Sequence, residues 1–178
     1  MLSRALSRVR ELLVDGTRVP AVPPAIGSIA LDGDAPLGEY LELDDSVLWN
    51  ALAAWRTAAD PVLSDLTSRL LARRLFKTYE LYGEQAQPRD RLTALETARA
   101  IATEAGLDAE IYVGLDIASD VPFDDANEPL MVMFPRGVPQ RPGDVSFLLG
   151  RLRGEKVERV RLIFAPELRE RIVQALAR

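Results

Sequence analysis

The 178-residue chain contains no cysteine and no histidine. Without cysteine it forms no disulfide and has neither a thiolate nucleophile nor a zinc–thiolate site, a composition that suits a reducing cytoplasm. Without histidine it lacks the usual general base, the Ser-His triad and imidazole metal ligands, so any bound metal would need oxygen ligands. We therefore expect a cytoplasmic chain with no catalytic residue, no metal ligand and no cofactor of its own.

Long apolar runs are also missing. No segment approaches the roughly 20 apolar residues of a membrane-spanning helix. Arg4, Arg8, Arg10 and Glu11 interrupt the first residues, which is not the pattern of a signal peptide. The composition, 48% hydrophobic and 28% charged, is typical of a soluble globular protein. We expect no membrane partner, and the net charge of -5 argues against nucleic acid as a partner.

The charge is unevenly distributed along the chain. Residues 136–178 carry 10 Lys and Arg against 5 Asp and Glu, so the rest carries 12 against 22, a net charge of -10. An acidic front and a basic tail predict a local anion-binding face or a contact between subunits. The alternative is a solvated surface whose charge is merely patchy.

Apolar residues at helical spacing mark the N-terminus, and Asp15-Gly16 ends the predicted helix. This stripe comprises Leu2, Ala5, Leu6, Val9, Leu12 and Leu13. We expect it to pack on a domain lying upstream, on this chain's own helices or on another copy, and we predict self-association through it. Residues 17–39 are rich in proline and glycine, which favours an irregular connector.

Helical signals continue through residue 106. An aspartate stands at the expected N-cap of two helices, proline follows one of them at the first helical position, and glycine closes a third. The predicted helices run from Asp44 or Asp45 to about Ala58, from Asp60-Pro61 through Leu70, and from Pro88 to about Ala105.

The pattern changes to short β-branched or alternating segments after Gly106. The predicted strands are Glu110–Ile117, Pro129–Phe134, Asp144–Leu152 and Val157–Phe164, and Pro166 opens a last helix. The sequence thus predicts an α+β fold, with an N-terminal helical part followed by a small antiparallel sheet and a C-terminal helix. We divide it into residues 1–39 (helix and connector), 40–106 (helical subdomain) and 107–178 (α+β subdomain).

Two groups of charged side chains could form a binding site. Arg69, Arg73 and Lys77 are spaced four residues apart and would form one cationic ridge, suited to phosphate, if the helix persisted that far. A solvated basic helix face is the alternative. Four aspartates between Asp116 and Asp125 could hold Mg²⁺ or Ca²⁺. The competing interpretation is a polar loop after a strand.

One segment resembles a known family. From Tyr40 to Leu81 the sequence reads YLELDDSVLWNALAAWRTAADPVLSDLTSRLLARRLFKTYEL. It resembles the region after the catalytic core of HD-domain deoxynucleoside triphosphate triphosphohydrolases, a family that includes bacterial dGTPase-like enzymes. The shared pattern is a Leu-Asp-Asp helix start, an Asp-Pro helix start and then Arg-x-Leu-Phe-Lys. Weaker likeness continues through residues 111–125, Asp144–Phe147 and 160–176.

The resemblance implies a role for the chain. In that family, Arg and Lys of Arg-x-Leu-Phe-Lys help bind a regulatory nucleotide between subunits, a role that falls here on Arg73 and Lys77, with Leu75 and Phe76 packing and Arg69 as an added candidate. Catalysis in the family uses a divalent metal held by His, His-Asp and Asp, and no histidine is present here.

We therefore expect the C-terminal lobe of an HD-family dNTP triphosphohydrolase, without the HD catalytic motif and inactive alone. It would contribute binding of GTP or a dNTP and oligomer assembly, as a homo-oligomer or with an HD catalytic domain. The alternative function is a protein–protein interaction module with no nucleotide site.

Overall fold

The computed structural model describes residues 1–125 and 130–177, which form two compact units. Unit 1 comprises Met1–Lys77 with Ala165–Glu167, and unit 2 comprises Thr78–Phe164 with Leu168–Arg178. The units divide after Lys77, whereas the subdomains predicted from the sequence divide after residues 39 and 106.

Unit 1 is built from helices whose starts follow the capping signals. Asp44 and Asp60 are the N-caps of α4 and α5, where their carboxylates accept hydrogen bonds from the backbone N–H groups of Val47 and Leu63, each at 2.8 Å. Both predicted helix starts are confirmed. The helices are α1 Leu2–Val14, α2 Pro24–Asp32, α3 Leu37–Leu41, α4 Asp45–Trp55 and α5 Pro61–Leu71.

The predicted irregular connector is wrong for much of residues 17–39, because α2 and the start of α3 lie there. Pro24 is in the first turn of α2, where its missing N–H removes no helical hydrogen bond. Gly33 ends α2 in the left-handed conformation, with φ of 82°. The same proline and glycine that suggest a connector therefore begin and end a helix.

The core of unit 1 lies where α1 packs against α2 and α5. Trp55 is fully buried, and its Nε1 donates to the carbonyl of Pro20 at 2.9 Å. Ala5, Val9 and Leu12 bury the apolar stripe of α1 within the unit. The chain's own helices thus cover the centre of this stripe.

Unit 2 is built on a three-stranded sheet, in the order β1-β3-β2. β2 runs antiparallel to β3, with Val113 opposite Phe164 and Asp120 opposite Val157. The fold class predicted from the sequence, α+β with a small sheet and a C-terminal helix, is confirmed. The strands are β1 Lys77–Leu81, β2 Val113–Asp120 and β3 Val157–Phe164, and the helices are α6 Pro88–Glu104, α7 Ala109–Tyr112, α8 Pro142–Val145, α9 Phe147–Leu152 and α10 Arg169–Leu176, with short 3-10 helices at Gly83–Ala86 and Pro166–Leu168.

Three of the predicted strands need correction. Residues 144–152 form the end of α8 and all of α9, and the hydroxyl of Ser146 caps α9 by accepting a hydrogen bond from the Leu149 N–H. A short apolar run does not distinguish a strand from a buried or short helix. β2 begins at Val113 rather than at Glu110. Of the strand predicted over 129–134, residue 129 lies outside the described residues, and the remainder forms only a bridge between Val132 and Gln140. No described helix has the length and apolarity needed to cross a membrane.

Candidate functional site

The basic segment after α5 turns instead of continuing as a helix. α5 ends at Leu71, and the backbone N–H groups of Arg73 and Arg74 donate to the carbonyls of Leu70 and Arg69 at 3.1 and 2.9 Å. Arg73 has φ of 54°, in the left-handed region that few residues other than glycine adopt. The predicted helical ridge is therefore wrong, because the helix stops before Arg73.

The turn nevertheless gathers the predicted cations around one open surface depression of about 600 Å³, which we call the basic depression. Four of its lining residues are cationic and one is acidic, so the lining carries a net charge of about +3. All of them belong to unit 1. The lining residues are Arg69, Arg73, Arg74, Leu75, Lys77, Pro166 and Glu167.

Arg69 is engaged inside the protein. Its guanidinium donates two hydrogen bonds to the Glu167 carboxylate, at 2.9 and 2.6 Å, and a third to Asp65 at 2.7 Å. The side chain of Arg69 is only 11% exposed. Its hydrogen bonds to Glu167, and then to Asp65, raise the pKa of Arg69, and the pKa of Glu167 is lowered chiefly by the same guanidinium. Two carboxylates thus already balance this cation, which fixes Glu167 at the wall of the depression.

Sequence reasoning did not identify Glu167 as part of this site. It lies 98 residues after Arg69 in the chain. No local motif connects the two positions, and Pro166 predicted only the start of the last helix. The hydrogen bonds between their side chains are the signal that places Glu167 at the site.

Arg73, Arg74 and Lys77 differ from Arg69 because each is exposed and none forms an ion pair with the described part of the chain. Arg74 adds a further, smaller electrostatic contribution to the lowered pKa of Glu167, after that of Arg69. Three uncompensated cations on one surface attract an anion, and arginine can bind phosphate through paired hydrogen bonds.

The two apolar residues of the motif have different environments. Phe76 is half-buried, and its backbone N–H contacts the Met1 sulfur at 3.2 Å. Leu75 is 51% exposed at the edge of the basic depression. Packing therefore holds Phe76, whereas Leu75 is available to a ligand or partner.

Two of the four aspartates between Asp116 and Asp125 are used for internal contacts, Asp116 within β2 and Asp125 after it. Asp116 accepts a hydrogen bond from Arg161 on the neighbouring strand at 2.7 Å. Asp125 is buried and accepts hydrogen bonds from the Gly143 N–H at 2.9 Å and from Arg153 at 3.1 Å. Burial acts to raise the pKa of Asp125, but those two donors lower it overall. Across residues 1–125 and 130–177, no three acidic groups gather as metal ligands.

Comparisons with known proteins give a partial match. No protein-family model matches the chain. The protein named "Uncharacterized protein YwfO", from Bacillus subtilis (strain 168), is 31% identical over 124 residues, which are 70% of this chain and 27% of that protein. The chain thus corresponds to about a quarter of the length of this curated relative.

A solved structure shares the fold. A phosphohydrolase from Bacteroides thetaiotaomicron, whose crystal structure was determined at 2.20 Å resolution, superposes with a TM-score of 0.65 at 22% identity. The match covers 90% of this chain and 43% of the phosphohydrolase. Most of this chain therefore has the fold found in part of a larger phosphohydrolase.

Proposed function

We propose that the chain is the C-terminal lobe of an HD-family dNTP triphosphohydrolase, and that it contributes a nucleotide site and oligomer assembly. The nucleotide site is the basic depression, and its ligand is GTP or a dNTP. The observation that carries this proposal is the gathering of Arg73, Arg74 and Lys77 on one surface, where none of the three forms an ion pair with residues 1–125 or 130–177. The shared fold with part of a phosphohydrolase supports it.

The chemistry of the depression suits a polyphosphate. The two arginines offer planar donor pairs, and Lys77 adds a compact charge that can follow a flexible phosphate chain. The depression, about 600 Å³, lies within the usual range of small-ligand sites. Exposed Leu75 supplies an apolar surface for the base or sugar.

Nucleotide binding is tested by calorimetric titration of GTP and each dNTP. Saturable binding by the intact chain is the expected result, and Arg73→Ala and Lys77→Ala should each weaken it by at least about tenfold, the loss of one charge-assisted contact. Arg56→Ala is the matched control, because Arg56 is an exposed arginine of unit 1 outside the depression. Absence of binding by the intact chain would contradict the proposal.

Catalysis is assigned to another part of such an enzyme. A chain without histidine cannot supply the metal-binding set of the HD family, whose divalent metal belongs to the catalytic domain. We expect no release of inorganic triphosphate from dGTP in the presence of Mg²⁺ or Mn²⁺. Robust turnover by the purified chain would refute this assignment.

The second candidate function is an interaction module with no nucleotide site. It is favoured by an exposed apolar groove between α1, α2 and α4 in unit 1. The titration described above separates the two candidates, since this module would show no saturable binding of any nucleotide.

A further inference from the structure

Unit 1 exposes a continuous apolar groove. A depression of about 510 Å³ between α1, α2 and α4 adjoins a second one of about 420 Å³ beside α2 and α3, and Ile29 lines both. Leu37 is 71% exposed and Tyr40 is 59% exposed. Contiguous exposed apolar surface of this kind marks interaction sites. The apolar lining is formed mainly by Leu6, Ile26, Ile29, Leu37, Tyr40 and Leu48.

The rim of the apolar groove is acidic. Asp34, Asp44 and Asp45 line it, and Arg10 is the cation among its described lining residues, which gives a net charge of about -2. The Ser46 hydroxyl and then the Val47 N–H lower the pKa of Asp44, so this carboxylate remains charged well below neutral pH. A fitting partner is therefore apolar with an adjoining positive charge.

Helix α9 in unit 2 presents a surface of that chemistry. Phe147 is 81% exposed and Leu148 lies beside it, also exposed. The guanidinium of Arg151, one turn later, is 5.5 Å from the centroid of the Phe147 ring. This helix lies within the basic C-terminal stretch of the sequence, since residues 136–178 carry a local charge of +5. We call Phe147, Leu148 and Arg151 the α9 knob.

We propose that the α9 knob of one copy occupies the apolar groove of a second copy. Phe147 and Leu148 enter the groove, and Arg151 faces the carboxylates of Asp44 and Asp45. The apolar residues of the knob contact the apolar lining of the groove, and the positive charge of Arg151 is opposite to that of the acidic groove rim. This contact would provide the assembly part of the proposed function, and it does not depend on nucleotide binding.

The two contact surfaces are different, so the interface is heterologous. Each copy offers both a groove and a knob, and association continues until the contacts close into a ring or a reciprocal pair. Two variants that each lack one surface must therefore complement each other in one orientation. An interface that pairs identical surfaces would not behave in this way.

Sedimentation analysis tests this complementarity. Leu37→Asp removes an apolar wall of the groove, and Phe147→Asp removes the centre of the knob. We expect the intact chain to self-associate and each variant to be monomeric. An equimolar mixture should form a one-to-one heterodimer, because one intact groove then meets one intact knob. Val14→Asp and Leu92→Asp are matched controls at exposed apolar residues outside both surfaces, and they should associate like the intact chain.

A charge swap tests the orientation. Asp45→Arg and Arg151→Glu should each weaken self-association by about tenfold or more, and the chain with both substitutions should recover it. A monomeric intact chain at high micromolar concentration, or a mixture of the two sedimentation variants that stays monomeric, would overturn the inference. Nucleotide titration of the intact chain keeps the two proposals distinguishable. GTP binding by an intact chain that stays monomeric contradicts only the groove, and assembly of the intact chain without GTP binding contradicts only the basic depression.

Discussion

The pairing of Arg69 with Glu167 gives a quantitative prediction about stability. Arg69→Gln removes a mostly buried guanidinium and leaves two carboxylates, of Asp65 and Glu167, without their main donor. Breaking a buried ion pair costs about 3–5 kcal/mol, whereas an exposed pair is worth about 0–1 kcal/mol. Because Arg69 is 11% exposed but Glu167 is 44% exposed, we expect a loss of about 2 kcal/mol in the unfolding free energy of unit 1.

The two tryptophans of the chain provide a fluorescence probe for this change. Both tryptophans, Trp49 and Trp55, lie in unit 1, and Trp55 is fully buried, so urea unfolding followed by tryptophan fluorescence reports on unit 1 alone. A double-mutant cycle with Glu167→Gln isolates the interaction of the pair. A coupling energy below about 0.5 kcal/mol would refute the argument, because it would place the pair with ordinary surface ion pairs.

The same pair predicts a pH dependence. The pKa of Glu167 is lower in the folded chain than its usual value of 4.5, mainly because of Arg69. Between the two pKa values the unfolded state binds more protons than the folded state. The stabilisation is therefore complete above the usual pKa of Glu167, and it is lost as the pH falls through the lower pKa of the folded state. In Arg69→Gln, unfolding free energy measured by tryptophan fluorescence should fall less steeply over that interval. An unchanged acid dependence would contradict the assigned cause.

Three further predictions concern single sites. Arg73→Gly relieves the strain of the left-handed backbone conformation at this position and should raise the unfolding free energy of unit 1 by up to about 1 kcal/mol. Calorimetry of the same variant should show weaker GTP binding. A variant with a lower unfolding free energy would contradict the predicted relief of strain. Asp60→Ala removes the cap of α5 and the carboxylate that accepts two hydrogen bonds from Arg8, and it should cost about 1–2 kcal/mol by the same fluorescence assay. The loss should be smaller at acid pH, because the hydrogen bonds from Arg8, and then that from the Leu63 N–H, lower the pKa of Asp60 in the fold. Gly143→Ala places a methyl group against the Arg153 guanidinium and 2.8 Å from Asp125 Oδ2, and it should cost about 1–3 kcal/mol, seen as faster amide exchange in unit 2. Gly38→Ala in α3 meets no atom within 4 Å and should leave amide exchange in unit 2 unchanged.

Local chemistry made the starts of α4 and α5 in unit 1 predictable. An aspartate carboxylate can accept a hydrogen bond from the backbone N–H three residues later, which favours a helix start there, and both Asp44 and Asp60 act in this way. The fold class was also predictable from local sequence. The spacing of apolar side chains changes from helical periodicity to strand-like alternation after Gly106, and this change is visible without knowledge of the fold. The helical reading failed after Leu71, where propensity alone does not determine where the chain turns.

By itself, the sequence determined the starts of α4 and α5, the α+β class and the presence of cations between residues 69 and 77. Only the tertiary structure decided which of those cations remain uncompensated. Arg69 is neutralised by Asp65 in its own helix and by Glu167, 98 residues away, whereas Arg73, Arg74 and Lys77 are exposed around the basic depression. Likewise, the segment that alternates like a strand became α9. The physical reason is that capping acts over three or four residues, whereas charge compensation and burial depend on residues that only folding brings together.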